Sequence, residues 1–515
     1  MKQIELAVSP AEAAQQEQYI AAACKKAGIN RNDVAHSRII HKSLDARGRE
    51  IIVNLTVALY THGEMPENIS EKYNYRPVDG KKTCGVVGSG PAGLFAALRL
   101  IELGVKPIVI ERGKDVHSRR RDIALLSTQQ ILDPESNYCY GEGGAGTFSD
   151  GKLYTRSNKR GDISRILEIF HLHGAAEDIL YESRPHIGSD KLPRIVEAMR
   201  NTIIRCGGEV RFQTKLTDIK IEGGRVKSII VNQNEEIETQ RLILATGHSA
   251  EDVYSMLQKC GIALEAKGFA MGVRVEHPRD LIDEIRYKKA DTTYLPAAAY
   301  NVAAQSDGRG VYSFCMCPGG QVVPSSTLSG YTCVNGMSAA ARNNYWSNAA
   351  IVVEIRPEDI PDINSGNPMA GFLWQKELER MTCINGGGNQ SVPAQRLTDF
   401  VKGRISTSLP QSSYVPGIIN SPVHFWMPEF ISNRLRDGFK QFDKKMHGFL
   451  TEEGLVISSE TRTSSPVRII RDTEKLCCPN VSNLFACGEG AGYAGGIVSS
   501  AMDGEKAAES ASICS

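Results

Sequence analysis

Strong charge of either sign is missing from this chain. Its 515 residues carry 60 Lys and Arg against 59 Asp and Glu, a formal net charge of +1. No basic run is longer than Arg119–Arg121. A nucleic-acid surface needs clustered cations, so nucleic acid is not expected as a partner. Long apolar runs are missing too: none approaches the roughly 18 residues of a membrane helix, so no membrane is expected either. The opening "MKQIELAVSPAE" lacks the apolar core of a secretory leader. The thirteen cysteines are odd in number and include no C-x-x-C pair. In a chain this large that does not read as a disulfide framework or a metal centre. It points to a reducing, cytoplasmic setting with no metal. The close pairs Cys315-Met-Cys317 and Cys477-Cys478 read as small buried hydrophobes.

Glycine is plentiful, with 48 residues, and it marks the organisation. A small α+β unit with its linker is expected over 1–78. Within it, "AEAAQQEQYIAAACKKAG" has a helical pattern closed by Gly28. Ile51, Val53, Leu55, Val57 and Leu59 alternate as in a half-buried strand. The next region, 79–267, opens with strand, glycine turn, helix and strand. It continues through short alternating segments with "EGG" and "NQNEE" turns, which predict an antiparallel meander returning to a buried strand at Leu242–Ala245. Residues 268–460 are mixed and turn-rich. Residues 461–515 end on strand, glycine turn and helix again.

The motif with a mechanism is Gly88-Ser89-Gly90-Pro91-Ala92-Gly93. An apolar strand precedes it and an apolar helix follows. Glu111 ends the second strand, 23 residues after Gly88. Gly88 permits the tight turn, Gly90 lets backbone approach a pyrophosphate, and Gly93 lets helix and strand pack closely. The helix N-terminus offers unpaired N–H groups to phosphates. Glu111 can accept ribose hydroxyls, and an acid there disfavours a 2′-phosphate.

A second glycine-rich stretch, "YGEGGAGTFSDGKL" at 140–153, matches two nucleotide patterns superficially. No buried strand precedes it and no apolar helix follows. As a P-loop it fails because Leu153 stands where the Mg²⁺-binding Ser or Thr belongs.

Taken together, "VVGSGPAGLFAALRLIELGVKPIVIERG", "LILATG" and "NLFACGEGAGYAGGI" resemble the FAD-binding fold of the glutathione-reductase type. With "YGEGGAGTFSDGKL", "PHIGSDKL", "ATGHSAEDVY", "GFAMGVRVEHP", "YSFCMCPGG" and "SNAAIVVEI", the chain resembles a family of large bacterial FAD-dependent dehydrogenases of unassigned substrate, over roughly 58–508. The resemblance implies an α/β Rossmann-like FAD-binding domain, with a central parallel sheet and an antiparallel meander. It also implies an inserted α+β cap, and the small N-terminal α+β domain stands in front. One departure is Glu251, where the family commonly has Arg after "HSA".

The same resemblance implies roles. Gly88, Ser89, Gly90, Pro91, Ala92 and Gly93 would meet the FAD pyrophosphate, Glu111 the adenosine ribose, and Arg112 the flank of the adenine. Lys215 and Leu216 would offer backbone to adenine, and Ala245, Thr246 and Gly247 would close the strand end. Gly488 and Glu489 stand where such enzymes place Gly-Asp. Gly495, Gly496 and Ile497 would aim N–H groups at the flavin N1–C2=O edge. The loop at 140–153 would lie beside FAD, with Gly143, Gly144 and Ala145 lacking bulk, Phe148 and Ser149 touching the isoalloxazine, and Lys152 lining the pocket.

Gly490-x-Gly492-x-x-Gly495 also reads as G-x-G-x-x-G, but only about 20 residues follow, too few for a second nucleotide unit. NAD(P)H, if it is the reductant, then docks transiently, and an electron-donor protein is an equal alternative. Candidates around a small-molecule substrate are His248, Cys317 and Lys152, with Arg274, Glu276, His277 and His186 weighed beside them. Arg274 and Glu276 alternate on one strand and suit pairing better than chemistry. The leading expectation is an FAD-dependent dehydrogenase or reductase exchanging hydride at flavin N5. A flavin-dependent RNA-modifying or group-transfer enzyme and a non-catalytic flavin-binding module are the alternatives.

Overall fold

The computed structural model describes residues 1–155, 161–288 and 290–514, with the side chain of residue 364 left aside. Strand β1 (Lys2–Val8), helix α1 (Gln16–Ala27), β2 (Val34–Asp45) and β3 (Ile52–Thr61) make the N-terminal unit. Its sheet has β3 between β1 and β2, all antiparallel. Val53, Leu55, Val57 and Leu59 of β3 are buried, together with Ile20, Ala23 and Cys24 of α1. Gly28 ends α1 in the left-handed region, φ 66°, which costs glycine little.

The second unit begins with β4 (Thr83–Val87), α2 (Pro91–Glu102), β5 (Lys106–Ile110) and α3 (Val116–Gln129). It continues with α4 (Leu192–Arg205), β6 (Glu209–Arg211), the meander β7 (Leu216–Glu222), β8 (Arg225–Val231) and β9 (Glu235–Glu238), then β10 (Leu242–Leu244) and α5 (Glu251–Lys259). The N-cap of α4 is Lys191, without a side-chain bond.

The inserted unit is built on β11 (Phe269–Pro278), β12 (Ala303–Ser306), β13 (Arg309–Cys317), β14 (Gln321–Pro324), β15 (Val334–Met337), β16 (Trp346–Ile355), α6 (Ala370–Asn385), β17 (Val392–Arg396), β18 (Ile418–Asn420), α7 (Glu429–Lys445) and β19 (Leu455–Glu460). The chain closes with β20 (Cys477–Cys478), β21 (Val481–Ala486) and α8 (Ile497–Ile513).

The central sheet runs β20-β21-β10-β4-β5-β6. Five of these strands are parallel and β20 is the antiparallel edge. Parallel strands are covered on both faces, and β4 and β10 are accordingly apolar and buried. Helix α8 packs on α2 so closely that a Cβ on Gly504 would stand 2.1 Å from the Ala92 carbonyl oxygen. A seven-stranded sheet, β12-β13-β16-β11-β19-β17-β18, forms the second large layer, antiparallel except between β17 and β18. Helix α7 and the ring cluster Phe400, Phe439, Phe442 and Phe449 fill its core. Among the described residues no helix is long and apolar enough to cross a membrane.

Candidate functional site

The parallel strands β4, β10 and β21 all end at one cavity of about 930 Å³. That is the carboxyl edge of the sheet, where doubly wound folds bind ligands. The turn after β4 is shaped by two glycines. A Cβ on Gly88 (φ 98°) would lie 2.4 Å from the Ala245 carbonyl oxygen, and one on Gly93 would lie 1.9 Å from the Gly88 carbonyl oxygen. Such contacts fix α2 against β4. Neither α2 nor α8 has a side-chain cap, and both N-termini, at Gly90–Ala92 and Gly495–Ile497, line the cavity. Two uncapped helix starts aimed into one space are a fitting place for negative charge.

Several expected residues line this cavity: Gly88, Gly90, Pro91, Ala92, Glu111, Arg112, Gly144, Ala145, Ser149 and Lys152. So do Lys215, Leu216, Ala245, Thr246, Gly247, His248, Gly488, Glu489, Gly495, Gly496 and Ile497. The structure redirects others. Ser89 is fully buried, with its hydroxyl given to Glu111. Gly93 does not line the cavity and serves the helix–strand packing expected of the third glycine. Gly143 is spent inside the loop, where a Cβ would strike Thr147 Oγ1 at 1.8 Å. Phe148 turns away from the cavity into a cluster with Ile123, Leu126, Tyr138 and Val323. The Arg119 guanidinium lies 5.1 Å from its ring and bonds five backbone carbonyls of the 137–144 segment. Phe148 is therefore part of the loop's foundation. Cys317 is fully buried behind the wall, and Cys315 lines the cavity in its place.

Glu111 is held by the chain itself where it lines the cavity. Its carboxylate accepts Ser89 N and Oγ at 2.9 Å, Gly113 N at 2.9 Å and Gly141 N at 3.1 Å. Four donors from three loops converge on it, so it ties the fingerprint turn to the 140–153 loop. The Lys215 amide is likewise taken, donating to Asn232 Oδ1 at 2.9 Å. Its side chain joins a local network: Arg112 pairs with Glu135 at 2.6 Å and Asp252 at 3.0 Å, and Lys215 with the same two acids. Arg112 also lies 4.1 Å over the Tyr140 ring. Glu251, the departure from the family pattern, pairs with Lys376 at 3.0 Å.

At the other end of the cavity His248 Nδ1 faces Glu489 Oε2 at 3.2 Å, and its Nε2 is buried without a partner. Helix α5 follows directly, with Ala250 as its N-cap and no side-chain cap. Asp503 accepts the Gly488 amide at 2.7 Å and holds Arg471, a support that sequence reasoning missed. Lys152 donates to the Met316 carbonyl and pairs in an isolated bridge with His186. His186 itself is not a lining residue. Its Nε2 faces the Ala340 carbonyl at 3.1 Å.

Arg274, Glu276 and His277 lie off the cavity and are fully buried. Arg274 is gripped by Glu460 at 2.8 Å and Asn348 at 2.7 Å. Glu276 accepts the Ser413 hydroxyl and amide. His277 donates Nε2–H to the Phe449 carbonyl at 2.9 Å, and burial pushes its pKa down to about 4.

The wall opposite the fingerprint comes from the inserted unit: Tyr300, Tyr312, Phe314, Cys315, Asn335 and Arg342. Arg342 pairs with Asp150 at 2.5 Å across the two units. Burial works against the Asp150 carboxylate, but the Arg342 guanidinium, with Lys152 and His186 adding to it, holds the pKa below the usual carboxylate value. Nothing local in sequence marks these partners. Among the described residues no group of three metal-ligating side chains comes together.

Residues 268–463 match the family described as "FAD-dependent protein, C-terminal domain-like", and residues 1–60 match a domain of unknown function. An uncharacterized protein of Clostridium beijerinckii is 40% identical over 513 residues, covering 94% of each chain. A thiamine thiazole synthase of Aeropyrum pernix is 26% identical over 214 residues, covering 39% of this chain and 66% of its own. Among solved structures, a flavoprotein/dehydrogenase from Cytophaga hutchinsonii superposes with TM-score 0.37 at 11% identity, covering 84% of this chain and 78% of its own. A geranylgeranyl bacteriochlorophyll reductase-like protein of Thermoplasma acidophilum gives 0.34 at 13% identity, covering 83% and 77%.

Proposed function

This chain belongs to the same family as the Clostridium beijerinckii protein, an FAD-dependent family with a Rossmann-like flavoprotein fold, and from that premise we propose that it is an oxidoreductase exchanging hydride between flavin N5 and a small organic substrate. The observation that carries the reading is the continuity of the cavity. The nucleotide cradle at Gly88–Ala92 and the wall of Tyr300, Tyr312, Phe314 and Arg342 line one space. Substrate then sits under β13, against whatever the two helix N-termini hold.

The flavin supplies the two-electron chemistry when bound. The chain's own part is positioning and charge. The N-terminus of α2 favours the pyrophosphate, and that of α8 favours negative charge on a reduced ring. Glu111 holds the turn and the loop in the shape the nucleotide needs. Arg342, fixed by Asp150, offers a cation to an anionic substrate group. His248, with Nδ1 toward Glu489 and a buried, unpartnered Nε2, is the imidazole placed at the cavity wall for acid–base work.

The test is anaerobic stopped-flow mixing of the FAD-loaded protein with NADH and with NADPH. Fast bleaching of the flavin absorbance by one of them establishes a nicotinamide donor. Bleaching by neither directs the search to an electron-donor protein or to a substrate that itself supplies the electrons. A colourless protein that gains no flavin spectrum with added FAD refutes the reading.

A further inference from the structure

The Cys315-Met316-Cys317 turn contributes two thiols beside the cavity that the reading above does not use. Strand β13 pairs Phe314 with Ala350 and Cys317 with Asn348 of β16, so three steps on one strand face two on the other. That β-bulge, with Cys315 at φ 46°, gives Cys315 to the cavity while Cys317 stays buried behind it. The Cys317 thiol donates to the Cys315 carbonyl at 3.4 Å.

Cations bracket the turn. Arg274 Nη1 donates to the Cys315 carbonyl at 3.3 Å and stands 3.9 Å from Cys317 Sγ. Lys152 reaches over the Met316 carbonyl. The neighbouring Cys317 thiol, with Lys152 and Arg274 adding to it, holds the Cys315 thiol well below the usual range, and Cys317 is pushed well above. A cavity-lining thiol of lowered pKa with a buried thiol behind it is the arrangement of a reactive dithiol.

The turn is also joined to the flavin cradle. A Cβ on Gly146 would lie 3.1 Å from Ile497 at the start of α8, and Lys152 of the same loop bonds the cysteine turn. One short loop thus spans from that helix start to the thiols.

We propose that Cys315 and Cys317 form a redox-active pair that exchanges two electrons with the bound flavin; this rests on the flavin reading. In the oxidising direction both sulfurs lose their protons and one electron each, and an S–S bond forms. The two electrons and one proton pass to the oxidised flavin, and the other proton passes to solvent. The reverse step returns both thiols.

Anaerobic titration of the air-oxidised, FAD-loaded protein with dithionite tests this. The wild type is expected to take two two-electron equivalents per flavin, and Cys315→Ser and Cys317→Ser one each. Alkylation under denaturing conditions, read by mass spectrometry, needs no variant. Oxidised protein should label two fewer of its thirteen cysteines than reduced protein, both in the peptide that holds Cys315 and Cys317. One equivalent in the wild type with thirteen free thiols overturns the pair. If the protein holds no flavin, that reading fails separately. Labelling in glutathione redox buffer still decides the pair: protection of these two cysteines supports it, and thirteen free thiols in every buffer overturn it.

Discussion

Replacing Glu111 by Gln separates two accounts of how the fingerprint works. The carboxylate is 5% exposed and receives four donors, two on each oxygen. Gln must turn an amide N–H₂ toward one of these pairs. The milder choice faces Ser89, whose hydroxyl can rotate to accept, while the Ser89 backbone N–H is left against another donor. A buried donor without a partner costs about 1–3 kcal/mol. The remaining bonds lose their ionic assistance, roughly halving each. The sum is about 2–5 kcal/mol, and it falls on the folded protein before any cofactor arrives. Urea unfolding of flavin-free protein, followed by circular dichroism, should show that loss, and fluorescence titration should show weaker FAD binding as well. Unchanged unfolding with weakened FAD binding would refute the four-donor argument and assign the carboxylate to the nucleotide.

Four further outcomes follow from the same geometry. Gly144→Val should release FAD or abolish its reduction, since φ is 65° and a Cβ would stand 3.0 Å from Gly90 Cα; retention of both measured by absorbance makes the loop a mere turn. Glu460→Gln should cost about 3–5 kcal/mol by leaving Arg274 buried without its counter-charge, measured by denaturant midpoint. His277 is neutral in the fold at pKa about 4 and protonates in the unfolded chain near 6.5, so the unfolded state binds the extra proton between those values. Stability should therefore drop as pH falls from 6.5 toward 4, by about 3 kcal/mol from this group, and His277→Gln should flatten that slope. Arg342→Met should raise KM for an anionic substrate more than it lowers kcat, and equal effects on both would argue against a binding cation.

What was legible in the sequence was what is local. Gly88–Gly93 and the strand before it declare themselves because turn, helix start and close packing all lie within one short segment. Gly495–Ile497 did so for the same reason. The loop at 140–153 was legible as small and backbone-rich. Its details were not, because Phe148 is turned by Arg119 and Gly143 by Thr147. Cys317 is a candidate in the sequence and Cys315 is not, because the bulge that gives Cys315 to the cavity leaves no mark in the local pattern. Asp150 and Arg342 are brought together from different units, and no spacing rule links them. Glu111 shows that a correctly located residue can still have its lone pairs filled by the chain itself.

The last strand, β21, lies beside β10, and the last helix, α8, lies on α2. Strand β4 and helix α2 are made hundreds of residues earlier. The central sheet must therefore wait, open on one side, while the whole inserted unit is synthesised. Pairings this distant in sequence form slowly, since loop closure comes before the contacts that reward it. A nascent chain stopped short of residue 481 would expose the β10 edge and the flank of α2 together, and would have no start of α8 to offer a cofactor. Assembly of the cradle is thus a late event in the life of each molecule, and chaperones would be needed most in the interval before it.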